Sequence, residues 1–231
     1  MKTEFDRFSP KVIEFLSELE KNNSKEWFDA NRATYEKEIK LKSQLLVEKM
    51  AQLFAQNGLS YVADKKKSLF RINRDIRFSK DKSPYKTNMG IYFPYSLIHQ
   101  NVKDPLSVGL YFHIEPKEIF IAGGMHMPDS NTLLSVRTKI AEEWDSLSKI
   151  VSNRIFVKEF PVISFDNMLK TTPKGFPKDH PADKWLRLKD YTAFSLINQD
   201  DAWSEKLPEL LISKAVALKP FLEFLSLGLD N

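Results

Sequence analysis

Apolar residues recur at helical spacing through the first quarter of the chain. Val12, Phe15, Leu16 and Leu19 share one helix face behind Ser9 and Pro10, a residue suited to capping and a proline suited to the first turn. Asn22, Asn23 and Ser24 stop this helix and cap a second, with Glu26 three residues after Asn23 as in a capping box. Trp27, Tyr35, Ile39, Leu46, Met50, Leu53 and Phe54 then carry one helix to Asn57-Gly58, a fitting C-terminal stop. At about 1.5 Å per residue it would run roughly 50 Å, with a bend expected near residues 40–44.

The period then changes to two. Phe70, Ile72, Ile76 and Phe78 alternate with Arg71, Asn73, Asp75 and Arg77, which reads as a strand with one apolar and one charged face. A helical reading would instead group Arg71, Arg74 and Asp75. Residues 89–95, 108–115 and 119–123 are strands, and Pro116-Lys117 between the last two makes a hairpin, so the sheet is largely antiparallel. Pro128-Asp129 opens a third helix whose buried stripe is Leu133, Val136, Ile140, Trp144, Leu147 and Val151. A proline-rich section follows, with Pro181 starting a short helix through Trp185 and Leu188. Residues 191–197 form a further strand, and 207–227 a last helix interrupted at Pro220. The predicted fold is a single α+β domain, a mainly antiparallel sheet packed against N-terminal, central and C-terminal helices. Residues 1–58 are its helical N-terminal part, 59–125 hold the sheet and a basic motif, and 126–231 hold helices, a proline-rich basic loop and one further strand.

Composition narrows the function classes. The 231 residues contain no cysteine, which excludes disulfides, thiolate catalysis and Cys-ligated metal sites. No segment approaches the ~20 apolar residues of a membrane span, so a soluble cytoplasmic protein without membrane contact is expected. No cofactor is indicated, and oligomeric state is not encoded in any pattern here.

Charge changes the picture most. The formal net charge is only +4, but residues 65–86 hold nine of the 35 Lys and Arg residues and two of the 31 Asp and Glu. That window is therefore +7, and the other 26 basic and 29 acidic residues leave the body at −3. Such a concentrated source attracts phosphates, carboxylates or nucleic acid. Arg71, Arg74 and Arg77 offer planar forks for bidentate contact, Lys82 and Lys86 add point charges, and Tyr85 could stack or hydrogen-bond. Against this stands an internal network in which Asp75 and Asp81 pin the arginines around Pro84. Further candidates are Gly123-Gly124, as an amide cradle for an oxyanion or simply a turn with positive φ, and Lys170 and Lys174 in the second basic loop. Proton transfer would fall to Asp75, His113 or His180, of which the histidines are equally explained as satisfied, partly buried side chains. The four histidines, His99, His113, His126 and His180, show no metal-ligand spacing, so no metal site is expected.

The run Arg71-Ile72-Asn73-Arg74-Asp75-Ile76-Arg77-Phe78, followed by Asp81-Lys82-Ser83-Pro84-Tyr85-Lys86, resembles the signature of a mostly bacterial family, domain of unknown function 2461. Asn22 to Phe28, Gly123-Gly124, Leu169 to Phe176 and Asp179-His180-Pro181 resemble it too, so the likeness spans most of the chain. Residues 40–44 lack a proline that the family pattern carries. The family has no assigned activity, so the resemblance implies an intracellular single-domain protein and no reaction.

Three functions remain open. The first is binding of a phosphate-bearing partner, with nucleic acid favoured by the interleaved Phe70, Phe78 and Tyr85. The second is an enzyme acting on a small phosphorylated or carboxylated substrate clamped by the arginines. The third is a module whose arginines meet an acidic protein partner. A bounded pocket favours the small ligand, and an open basic face favours nucleic acid.

Overall fold

A computed structural model describes residues 4–96 and 108–226. It is an α+β fold with a five-stranded antiparallel sheet, and the strand order is β1-β2-β3-β5-β4. The strands are β1 (Met89–Pro94), β2 (Gly109–Ile114), β3 (Ile119–Met125), β4 (Val162–Ile163) and β5 (Tyr191–Leu196). His99 lies outside the described residues. The described residues group into two compact units, each assembled from separate stretches of chain. One draws on Met1–Phe93, Tyr111–Ile121 and Leu196–Ile212, and the other on Pro94–Leu110, Ala122–Ser195 and Ser213–Asn231. Among the described residues, no helix is long and apolar enough to cross a membrane.

In the first unit, α1 (Lys11–Lys21) buries the expected stripe of Val12, Phe15, Leu16 and Leu19. Its start differs from expectation. Ser9 contributes its backbone carbonyl to Val12 N (3.0 Å), while its hydroxyl points to the buried carboxylate of Glu38 (3.4 Å). The single long helix is three pieces: α2 (Lys25–Thr34), a π-helical segment (Tyr35–Leu41) and α3 (Lys42–Gln56). Widening in the π segment buries the adjacent Glu38 and Ile39 together. The cap of α2 is Ser24, whose hydroxyl accepts from Trp27 N (3.2 Å). Asn23, the residue expected to cap, is used elsewhere.

The strand expected over Phe70–Phe78 does not form. The alternation is present, but only isolated bridges occur there, Leu69 with Ile91 and Asn73 with Tyr85. Pro84, with no amide hydrogen, and the charged pairs of the loop leave no uninterrupted ladder. The hairpin at Pro116-Lys117 is as expected, closed by Glu115 N donating to Glu118 O (3.0 Å).

In the second unit, the expected central helix is two, α4 (Ser130–Glu142) and α5 (Trp144–Ser152), broken at Glu143. Asp129 caps α4, accepting from Asn131 N (2.8 Å) and Thr132 N (3.1 Å). The short helices α6 (Arg154–Glu159) and α7 (Asp183–Leu186) lie in this unit, and α8 (Gln199–Ala202) belongs to the first. Of these only α7 matches a helix that the sequence pattern predicts, and the two-residue β4 has no counterpart in that pattern. The last helix, α9 (Leu207–Ser226), runs through Pro220 without the expected interruption.

Gly123 and Gly124 are not a turn before a helix but lie inside β3. A Cβ on Gly123 would stand 1.9 Å from Leu218 Cδ2, and one on Gly124 would stand 1.9 Å from the backbone oxygen of Tyr191. Gly124 also has φ +136°, which a side chain disfavours. Close packing therefore accounts for the pair, and the space an oxyanion would need beside their Cα atoms is filled.

Gly124→Ala is expected to cost about 4 kcal/mol or more, since it combines a backbone collision with a disfavoured φ. Gly123→Ala meets only the end of a leucine side chain and should cost about 1–3 kcal/mol. Chemical denaturation of the two variants measures the difference, and equal costs would contradict this packing.

Candidate anion-binding cleft

The basic segment is irregular, so its backbone groups are satisfied one at a time. Asp64 opens it, its carboxylate accepting from Lys66 N (2.8 Å) and Lys67 N (3.0 Å). Phe70 N donates to Gly90 O (3.2 Å) and Tyr92 N to Ser68 O (2.8 Å), tying the segment to the edge of β1. Arg74 N reaches Pro84 O (2.9 Å) and Lys86 N reaches Ile72 O (2.7 Å). The remaining backbone groups of Tyr85 go to Asn23. Its side-chain nitrogen donates to Tyr85 O (3.0 Å) while its oxygen accepts from Tyr85 N (3.0 Å). One amide thus acts as a strand of a single residue. The Tyr85 ring stacks on Phe28 with centroids 4.1 Å apart. Tyr85 is only 6% exposed, so it is a core residue and not the ligand-stacking surface expected of it.

The three arginines part company. Arg77 holds Asp75 bidentately, Nε to Oδ1 at 2.9 Å and Nη2 to Oδ2 at 2.6 Å, and this pairing keeps the Asp75 carboxyl below its ordinary range. Arg74 pairs with Asp81. Asp81 also accepts from the hydroxyl (2.6 Å) and amide (2.9 Å) of Ser83, and these bonds, with Arg74, hold it far below the usual carboxylate range. Lys82 donates to Ile76 O (2.9 Å). Asp75 is therefore an ion-pair partner, poorly suited to take a proton. Arg71 makes no ion pair among the described residues. Lys86, its neighbour in charge, lies with Nζ 5.2 Å from the centre of the Phe70 ring. Burial and then the charge of Arg71 push the Lys86 ammonium below its ordinary value.

Arg71 lines a cleft of about 540 Å³ within the first unit. Arg32, Tyr35, Glu36, Ile39, Lys40 and Gln44 form its helical wall, and Lys65, Lys66, Phe70, Arg71 and Asn73 its opposite wall. Arg32 is paired with Asp29 (2.5 Å), Lys40 with Glu36 (2.8 Å), and Lys65 with Glu48. Burial pushes the Tyr35 phenol up to about 12, so it stays neutral. The sequence reading placed Arg71 and Tyr85 here and Lys86 beside it, but it missed the helical wall entirely. Arg32, Glu36 and Lys40 sit four residues apart on a polar face, a spacing that solvated helices also show.

The remaining candidates fall outside the cleft. Lys170 and Lys174 are exposed and belong to the second unit, as do Gly123 and Gly124. His180 is satisfied at both nitrogens, by Ala141 O (3.1 Å) and Ala182 N (3.0 Å), so it closes a turn. His113 is richer. On one face of β2, Tyr111 Oη is 2.9 Å from His113 Nδ1, and His113 Nε2 is 3.2 Å from Glu115 Oε2. A carboxylate only accepts, so Nε2 carries the hydrogen and the phenol donates to Nδ1. The imidazole stacks on Phe120 at 4.4 Å. Its burial lowers its pKa, outweighing the pull of Glu115 and Glu118, and burial pushes Tyr111 up to about 12. Among the described residues, no three His, Asp or Glu side chains gather to hold a metal ion.

A family model described as conserved hypothetical protein (DUF2461) matches residues 11–224, and the chain belongs to that family. No curated protein and no solved structure is significantly similar to it.

Two outcomes test this geometry. Asn23→Ala removes both partners of the Tyr85 backbone and should cost about 2–6 kcal/mol, at about 1–3 kcal/mol per unsatisfied group. Hydrogen exchange should then quicken at Tyr85 and Lys86 before it does in α3. The second concerns pH. With His113 lowered by folding, the unfolded chain binds the proton more readily, so stability is complete above the ordinary value of 6.5 and declines as pH falls below it. His113→Gln should therefore narrow the stability difference between about pH 7.5 and pH 5.5, as measured by denaturant titration.

Proposed function

We propose that this DUF2461 protein binds a small phosphate- or carboxylate-bearing ligand in the cleft beside Arg71. One observation carries the reading. The fold holds the charges of Arg71 and Lys86 within electrostatic reach of each other, and neither has an ion-pair partner among the described residues. Asp75 also feels Arg71, but its carboxylate is taken by Arg77. Two like charges kept together cost stability, and a bound anion turns that cost into attraction. A guanidinium adds planar, bidentate recognition of phosphate or carboxylate. The cleft volume falls within the range of about 300–1,000 Å³ usual for small-molecule sites.

A second reading, single-stranded nucleic acid, draws on a different place. Phe78 is 96% exposed, with the Arg77 guanidinium 5.8 Å from its ring centre. An aromatic ring standing in water beside a cation is the element that stacks on a base.

The two readings predict opposite arginines. With a small ligand in the cleft, Arg71→Ala should lower affinity for phosphorylated or carboxylated compounds by about 10- to 100-fold, the worth of a charge-assisted hydrogen bond. Arg77→Ala should leave that affinity unchanged. Ligand-induced thermal stabilisation measures both. If only labelled oligonucleotides bind, with affinity falling steeply with salt and lost in Arg77→Ala and Phe78→Ala, the cleft is not the site.

A further inference from the structure

The lining of the cleft narrows the ligand further, an inference that rests on the anion reading above. Five cations border the cleft: Arg32, Lys40, Lys65, Lys66 and Arg71. Three are already paired, with Asp29, Glu36 and Glu48 respectively. Lys66 and Arg71 make no ion pair among the described residues, and the unpaired Lys86, outside the lining but within electrostatic reach of Arg71, adds a third charge for a ligand. A phosphomonoester carries about −1.5 to −2 at neutral pH, which the two unpaired lining cations and Lys86 beside them balance. A triphosphate would bring charge that this lining does not balance.

The cleft is also far longer than a phosphate. Along its helical wall the lining runs from Arg32 to Gln44, twelve residues apart and so about three helical turns, somewhat short of the roughly 18 Å of an unbroken α-helix because Tyr35–Leu41 is the wider π segment. The space beyond the phosphate is lined for a flat, mixed-polarity group. Phe70, next to Arg71 in the chain, meets Tyr111 edge-to-face at 5.8 Å and Lys86 Nζ at 5.2 Å, yet is 53% exposed, so part of its ring surface remains for a ligand. Asn73 and Gln44 supply amides, and the neutral Tyr35 hydroxyl can donate or accept, which suits the donor and acceptor edge of a heterocycle.

We propose that the ligand has nucleoside-monophosphate chemistry, with its phosphate against Arg71 and Lys66 and its base stacked on Phe70. The Arg71 fork takes two phosphate oxygens, Lys66 closes the charge, and the amides read the base edge.

Isothermal titration of the full chain with the four nucleoside 5′-monophosphates, their nucleosides, adenosine triphosphate and inorganic phosphate tests this. At least one monophosphate should bind tenfold or more tightly than both its nucleoside and inorganic phosphate, and no more weakly than the triphosphate. Phe70→Leu, which keeps apolar bulk and removes the ring, should weaken that monophosphate about tenfold and leave inorganic phosphate unchanged. Arg71→Ala should weaken both. Equal affinity for inorganic phosphate and the monophosphates would overturn the nucleotide and leave the anion site standing. A triphosphate preference of tenfold or more would overturn the charge count and with it the monophosphate. If neither these compounds nor small carboxylates bind, the nucleotide and the anion site fall together.

Discussion

Buried and half-buried peptide groups must find hydrogen-bond partners, and the segment that carries the basic wall of the cleft has no ladder to supply them. Its backbone is instead held by scattered bonds, and the most consequential is the two-way pairing of the Asn23 amide with Tyr85. That contact joins the turn between α1 and α2 to a residue 62 positions away. With Tyr85 fixed, its ring meets Phe28, its neighbour Lys86 bonds Ile72, and Asn73 bridges Tyr85 from the other side. Arg71 then has a defined place across from the helical wall. One side chain thus supplies the pairing that a neighbouring strand would have given this wall of the cleft.

Charge is distributed by the same economy. The two acids of the basic window are given to Arg74 and Arg77 at its outer loop, where Ser83 and Lys82 tie down the remaining ends. Neutralising the loop charges lets the loop hold one shape, while withholding a carboxylate from Arg71 leaves that guanidinium available. The net charge of the window therefore overstates its pull on a polyanion. What counts is which cations are unmatched, and where. This favours a bounded ligand over an extended one.

Much of the fold was legible because periodicity reports burial directly. The faces of α1 and α3, the strands β1, β2, β3 and β5, and the hairpin at Pro116 follow from apolar spacing and turn residues. The errors share a cause, which is that local pattern cannot see a distant partner. Phe70 to Phe78 alternates like a strand, yet the ladder it would need is not there. Asn23 reads as a cap because nothing nearby reveals Tyr85. Gly123-Gly124 reads as a turn because Leu218 and the Tyr191 carbonyl, which forbid a Cβ, are remote in sequence. Of the site, the motif gave the basic wall. The helical wall carried no signal beyond an ordinary polar face.

The π-helical segment links these observations. Tyr35, Glu36, Ile39 and Lys40 all belong to it, and all line the cleft. Its sequence, Tyr-Glu-Lys-Glu-Ile-Lys-Leu, contains no proline or glycine that would force a departure from α geometry. Local preference therefore does not explain it, and packing must hold it. Tyr35 is fixed between Phe15 (6.0 Å) and Phe28 (5.2 Å), and Ile39 is buried. A wider turn kept in place by aromatic contacts, on a wall of the cleft that also holds an unmatched arginine, is an irregularity of the kind often found at functional sites. Straightening it to regular α-helix would rotate Glu36 and Lys40 relative to Tyr35 and change the wall that faces Arg71. The geometry of the helix and the availability of the arginine thus shape the same cleft, and the proposed ligand would have to fit both.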